Sequence, residues 1–102
     1  MNDDTTVLAG KFCEALRSGR WKQTYGKVRD PETGGVCATE VLCHVSGKRS
    51  RMAMYLDPIV NPVANATFVV GGKKYGLVGL NDIVKATFPE IADMVEDKFH
   101  NE

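Results

Sequence analysis

Ala66-Thr67-Phe68-Val69-Val70, then Gly71-Gly72, then Lys73-Lys74-Tyr75-Gly76-Leu77-Val78 carries the clearest local signal in the chain. Two β-prone runs separated by a glycine pair read as a tight hairpin, because glycine reaches positive φ without steric cost. A few residues on, Thr87-Phe88-Pro89-Glu90 reads as a helix start. Thr87 caps, Glu90 stands where a capping box needs it, and Pro89 is tolerated in a first turn. Phe88, Ile91, Ala92, Val95 and Phe99 then recur at helical spacing as one apolar stripe, while Asp93, Glu96, Asp97 and Lys98 face water. Between hairpin and helix, Gly79-Leu80-Asn81-Asp82 reads as a turn, with Asn81 or Asp82 starting a short helix through Lys85.

Working back toward the N-terminus, Thr5 or Thr6 is expected to cap a first helix running to about Ser18, with Asp3 and Asp4 at its positive end. Leu8, Phe12, Ala15 and Leu16 form its apolar stripe, Cys13 lies beside them, and Gly19 stops it. Val36 to Val45 has a helical pattern, with Ala38, Val41, Leu42 and Val45 on one side and Glu40 and His44 away from it; a ten-residue apolar run is also compatible with a strand. Gly47 ends that segment, and Lys48, Arg49 and Arg51 then make a solvated basic loop. Pro58 and Pro62 break regular structure in Met52 to Val63, leaving a short extended piece around Met54 to Leu56. The expected fold is therefore α+β: a single domain over residues 1–102, with N- and C-terminal helices, a short Cys-containing helix and a central antiparallel hairpin sheet under the last helix.

A chain of 102 residues with 43% apolar and 25% charged residues suffices for one core and excludes wholesale disorder. Net charge is zero, which makes duplex nucleic acid a poor partner. No apolar run approaches the roughly 20 residues of a spanning helix, so no membrane role is expected. Met1-Asn2-Asp3-Asp4-Thr5-Thr6 is opposite in character to a secretion signal, and the expected location is cytoplasmic. The odd number of cysteines, 3, then argues for free thiols. The sequon Asn65-Ala66-Thr67 carries no meaning in that compartment.

Cys37-x5-Cys43-His44 lacks the close pair that zinc sites use. On a helix Cys37 and His44 sit two turns, or about 10 Å, apart, so a cysteine nucleophile would need His44 or His100 delivered by the fold. Neither glycine pair fits a phosphate-binding loop or a dinucleotide fingerprint. No catalytic residue, metal or cofactor is assigned, and a cysteine-dependent enzyme ranks behind two binding readings.

The least ordinary run is Ser18-Gly19-Arg20-Trp21-Lys22-Gln23-Thr24-Tyr25-Gly26-Lys27-Val28-Arg29, which contains the single tryptophan and reads as an edge strand or ordered loop. With Arg17 it holds five of the 13 basic residues. Arg17, Arg20, Lys22, Lys27 and Arg29 offer donors for phosphate or carboxylate, Trp21 and Tyr25 offer faces for stacking, and Gln23 has the groups to read a base edge. The competing reading makes Trp21 a core plug and the cations ordinary surface. A second candidate surface is the acidic face Asp93, Glu96 and Asp97, suited to a basic partner protein.

Ala15-Leu16-Arg17-Ser18-Gly19-Arg20-Trp21-Lys22-Gln23 with Gly26 and Val28-Arg29, Cys37-Ala38-Thr39-Glu40-Val41-Leu42-Cys43, and Leu80-Asn81-Asp82 with Thr87-Phe88-Pro89-Glu90-Ile91-Ala92-Asp93-Met94-Val95-Glu96 form three blocks in order. Together they resemble a family of small bacteriophage and prophage proteins of unsettled role. The second block departs from that pattern at Glu40, where the family has glycine, and lacks one cysteine. The resemblance implies action in the host bacterial cytoplasm as a counter-defence protein. That class includes homo-oligomeric sponges for anionic, nucleotide-like signals and direct inhibitors of host defence proteins, for which the acidic helix would be a charge mimic.

Overall fold

The computed structural model describes residues 3–100, apart from the side chain of His100; Met1 and Asn2 of the N-terminal composition argument lie outside the described residues. Asp3–Arg17 forms α1 and Phe88–His100 forms α6, and these two helices pack most extensively on each other. Leu8, Phe12, Cys13 and Leu16 on one meet Ile91, Ala92, Val95 and Phe99 on the other, all buried. Ala38–Ser46 forms α2, which closes the core with Val41 and Leu42. Each such buried aliphatic side chain contributes on the order of 1.5–3 kcal/mol relative to exposure.

Two small antiparallel sheets flank this helical centre. Arg29–Asp30 (β1) pairs with Gly35–Val36 (β2), and Phe68–Val70 (β3) pairs with Lys73–Tyr75 (β4) across Gly71-Gly72. The predicted hairpin therefore forms, and the α+β class holds. Its position differs from expectation: α6 packs across α1 rather than across the hairpin, because the hairpin contributes only Phe68 as a buried residue. Up to Val28 the basic-aromatic run is an ordered loop, held to β2 by a parallel bridge between Gln23 and Val36, and its last residue, Arg29, opens β1. Gly35 is required there, since a Cβ would lie 2.9 Å from the Thr24 Cβ.

The capping box at the start of α6 is present in full, with Thr87 N–H donating to Glu90 Oε1 at 2.8 Å and Glu90 N–H donating to Thr87 Oγ1 at 3.3 Å. Other local expectations are corrected. Thr5 does not cap α1; it is buried inside the helix and donates to the Ile59 carbonyl at 2.8 Å, which ties α1 to the middle of the chain. Met54 to Leu56 is not extended but part of α3, Arg51–Leu56, because Ser50 caps it and its methionines, alanine and leucine favour helix. The prolines set boundaries instead: Pro58 lies just beyond α3, and Pro62 occupies the first turn of α4, Asn61–Ala64. The segment after the hairpin is helical from Leu77, with α5 (Leu77–Gly79) running into a π turn, Leu80–Val84, so Asn81 is interior to a helical segment rather than its start. Lys48 is not simply solvated, as its Nζ lies 2.8 Å from Asp57 Oδ2.

Hydrogen bonds hold the Asp30, Asp57 and Glu90 carboxyls below their ordinary range: Asp30 through the Glu32 N–H, Asp57 through Lys48 and the Ile59 N–H, Glu90 through the Thr87 N–H. A depressed folded pKa contributes stability above the unfolded value and loses it as pH falls through the folded one. Melting temperature is therefore expected to hold from neutral pH to about 4.5 and to drop below that. Glu90→Gln should reduce the acid-side drop in a pH series of thermal melts; an unchanged drop would remove Glu90 from the account.

Candidate ligand-binding clefts

Gln23 turns inward. Its Nε2 donates to Asn81 Oδ1 at 2.9 Å and to the Ala86 carbonyl at 2.8 Å, and its Oε1 accepts from Phe88 N–H at 3.1 Å. Asn81, fully buried in the π turn, also accepts from Ala38 N–H at 3.2 Å and donates to the Thr24 carbonyl at 2.8 Å and Asp82 Oδ1 at 2.7 Å. The pair fastens the loop to the starts of α2 and α6. With its amide groups engaged in this way, Gln23 is scaffold in this structure.

Arg17 also turns away from the loop. It reaches α6, with Nη2 2.7 Å from Asp93 Oδ1 and Nη1 2.8 Å from Glu96 Oε2, and the two carboxylates hold its guanidinium still more firmly protonated. One of the proposed anion ligands thus engages two of the three residues of the acidic surface and halves their charge. Asp97 also has an interaction of its own. Exposure limits the worth of this clamp, since Asp93 is 75% exposed. A double-mutant cycle between Arg17→Ala and Glu96→Ala is expected to give about 0.5–1 kcal/mol at low salt, shrinking as salt rises. A coupling that ignores salt would contradict an ionic clamp.

The rest of the basic-aromatic run divides. Lys22 and Lys27 are exposed, and Tyr25 lies out on the loop with Lys85 Nζ 5.9 Å from its ring centroid. Trp21 is half-buried and packs on the core, its ring 4.8 Å from that of His44 at 44°. Trp21 thus both packs against the core and lines a cleft.

Glu40 is the residue that sequence reasoning misplaced. Its side chain is 7% exposed, although it falls on the first turn of α2 opposite the predicted apolar stripe. Arg29, itself 70% exposed, covers it with Nε and Nη2 each 3.2 Å from a carboxylate oxygen. His44 Nε2 lies 3.5 Å from the same carboxylate, one helical turn on. The spacing Glu40–His44 within an otherwise apolar run was the available signal: a carboxylate amid buried positions requires a cation nearby.

Two clefts flank the Trp21–His44 pair. One, of about 350 Å³, is walled by Arg29, Glu40, Cys43, His44, Lys48 and Arg49; the other, of about 330 Å³, is walled by Lys11, Glu14, Ser18, Arg20 and Trp21. Arg29 and Lys48 are committed to Glu40 and Asp57. Arg49 and Arg20 are exposed and make no ion pair among the described residues. Each cleft thus has one uncommitted guanidinium and shares a wall with the aromatic pair.

The thiols of Cys13, Cys37 and Cys43 are buried. Burial pushes Cys13 up to about 11, and burial raises Cys43 as well, so at neutral pH both are thiols rather than the thiolate a nucleophile needs. Native protein is expected to resist thiol-specific labelling that goes to completion once denatured; rapid native labelling at Cys43 would reopen a nucleophilic role. The imidazole of His100 lies outside the described residues. Among the described residues no group of three or more His, Cys, Asp and Glu is gathered closely enough to hold a metal ion, and no helix is long and apolar enough to cross a membrane.

Comparison of the chain with family models, curated proteins and solved structures finds no match in any of the three. The likeness to phage proteins therefore rests on the three sequence blocks alone.

Proposed function

We propose that this chain is a non-catalytic binding protein that captures an anionic, nucleotide-like small molecule across the two clefts beside Trp21 and His44. The observation that carries the reading is the placement of Arg20 and Arg49, uncommitted guanidinium groups on either side of one aromatic pair. A guanidinium fork matches phosphate oxygens in a way few other side chains do, and aromatic rings accept a stacked base. The burial of Cys37 and Cys43, which raises the Cys43 thiol, argues against the cysteine-enzyme alternative. The Arg17 clamp argues against a direct inhibitor that uses Asp93 and Glu96 as free charges. With the phage-like blocks, the reading extends to counter-defence in a host bacterial cell, the protein acting as a sponge for a nucleotide signal. Both clefts are open, so a homo-oligomer that encloses the ligand between copies belongs to the same proposal.

Thermal melts against cyclic and linear nucleotides test it. A ligand that binds only the folded state adds about 2.7 kcal/mol at a hundredfold excess over Kd, which in a domain of this size is a rise of roughly 10 °C or more. No shift from any nucleotide at millimolar concentration sinks the reading. Sedimentation with and without the best ligand reads the assembly.

A further inference from the structure

We propose that a third cleft, on the opposite side of the Arg49-Ser50-Arg51 segment, is a separate binding site for a nucleobase. The cleft has a volume of about 190 Å³ and lies between α2, α3, the end of α4 and the base of the hairpin. Thr39, the second residue of α2, contributes to its wall and is 4% exposed. Its Oγ1 is the buried side-chain nitrogen or oxygen that finds no hydrogen-bond partner among the described residues. As the second residue of α2, Thr39 has no preceding helical turn whose carbonyls could take its hydroxyl proton, since Gly35 and Val36 belong to β2. A protein that keeps such a group carries its desolvation cost unless something that enters the cleft answers it.

The other walls say what that partner is. Among the described residues Asn65 and Thr67 bring an amide and a hydroxyl with no side-chain hydrogen bond, Tyr55 stands 39% exposed at the edge, and Arg51 adds a guanidinium without an ion pair. The Gly76–Gly79 segment closes the far side with two residues that have no side chain. The volume is below the roughly 300–1,000 Å³ of pockets that swallow a whole drug-sized ligand, so it suits one flat group of a larger molecule. A simple anion offers only acceptors, which suit Arg51 and the Thr39 hydroxyl but leave the Asn65 carbonyl oxygen and the Tyr55 face unused. A nucleobase satisfies both ends: its edge pairs with Thr39, Asn65 and Thr67, its face lies on Tyr55, and its phosphate stays outside on Arg51.

This site is independent of the clefts beside Trp21, since Thr39 and Glu40 line different cavities, as do Arg51 and Arg49. The probes are AMP, GMP, CMP and UMP, with ribose 5-phosphate as the base-free control, followed by amide chemical shifts and calorimetry on the whole chain. At least one mononucleotide should move the amides of Thr39, Thr67 and Gly76, and ribose 5-phosphate should not. Thr39→Val keeps the shape and removes the hydroxyl; it should raise the melting temperature of the free protein by about 4 °C or more while weakening that mononucleotide about tenfold. The shifts at Thr39, Thr67 and Gly76 report this cleft and not those beside Trp21, so failure at the Trp21 clefts is read separately. The proposal is overturned by any of three results: no shifts with all four mononucleotides, equal binding of ribose 5-phosphate, or a Thr39→Val protein that binds as tightly as the original or melts no higher.

Discussion

Asn81→Ala is expected to lower folding stability by about 3–5 kcal/mol and the melting temperature by roughly 15 °C or more. The side chain lies in no solvent at all and holds four partners, Gln23 Nε2 and the Thr24 carbonyl on the loop, the Ala38 N–H at the start of α2, and the neighbouring Asp82 Oδ1. Truncation leaves the Ala38 N–H and one Gln23 donor without an acceptor, and a void where the amide stood. Each stranded buried group costs about 1–3 kcal/mol, and the void adds to that. Gln23→Ala should cost less, about 1–2 kcal/mol, because Gln23 is only half-buried and water can replace part of its set. Chemical denaturation of both variants gives the comparison. An Asn81→Ala loss below about 1 kcal/mol would mean that the network is not what fastens the loop.

That network also marks where sequence reading stopped. Local patterns were legible: the α6 capping box, the glycine-linked hairpin, the α1 stripe and the Gly47 stop all depend on residues within a turn of one another. What was not legible depends on partners far along the chain. Gln23 and Asn81 are 58 residues apart, and nothing local marks either as buried. Arg17 was placed in a ligand cradle because its neighbours are cationic, yet the acidic groups that engage it lie 76 and 79 residues away. Helical periodicity put Glu40 on the outer face of α2, and the face is covered by Arg29 from a loop whose course periodicity does not describe. The candidate site suffered most from this. Of the eight residues assigned to it, Arg20 and Trp21 line one cleft and Arg29 the other, while Arg49, Lys48 and His44 went unassigned.

Replacing Arg20 and Arg49 together by alanine is expected to weaken capture of the anionic ligand about 100-fold or more, with no change in circular dichroism or melting temperature. Charge-assisted hydrogen bonds contribute about 1.5–3 kcal/mol each, and among the described residues the two side chains make no ion pair that supports the fold. Lys22→Ala and Lys27→Ala, made in the same charge-neutralising way outside both clefts, should each weaken binding less than about threefold, the general screening effect of one distant charge. Titration calorimetry of these three variants separates a local site from a diffuse basic field, because a diffuse field would make every lost charge cost alike. The single variants decide the geometry. A ligand that crosses the Trp21–His44 pair needs both arginines, so each single change must cost affinity and the two costs must approximately add. A ligand confined to one cleft makes one single variant as weak as the double and the other neutral. If the double variant binds within threefold of the original, neither cleft holds the ligand and the reading of Arg20 and Arg49 as its phosphate partners is wrong.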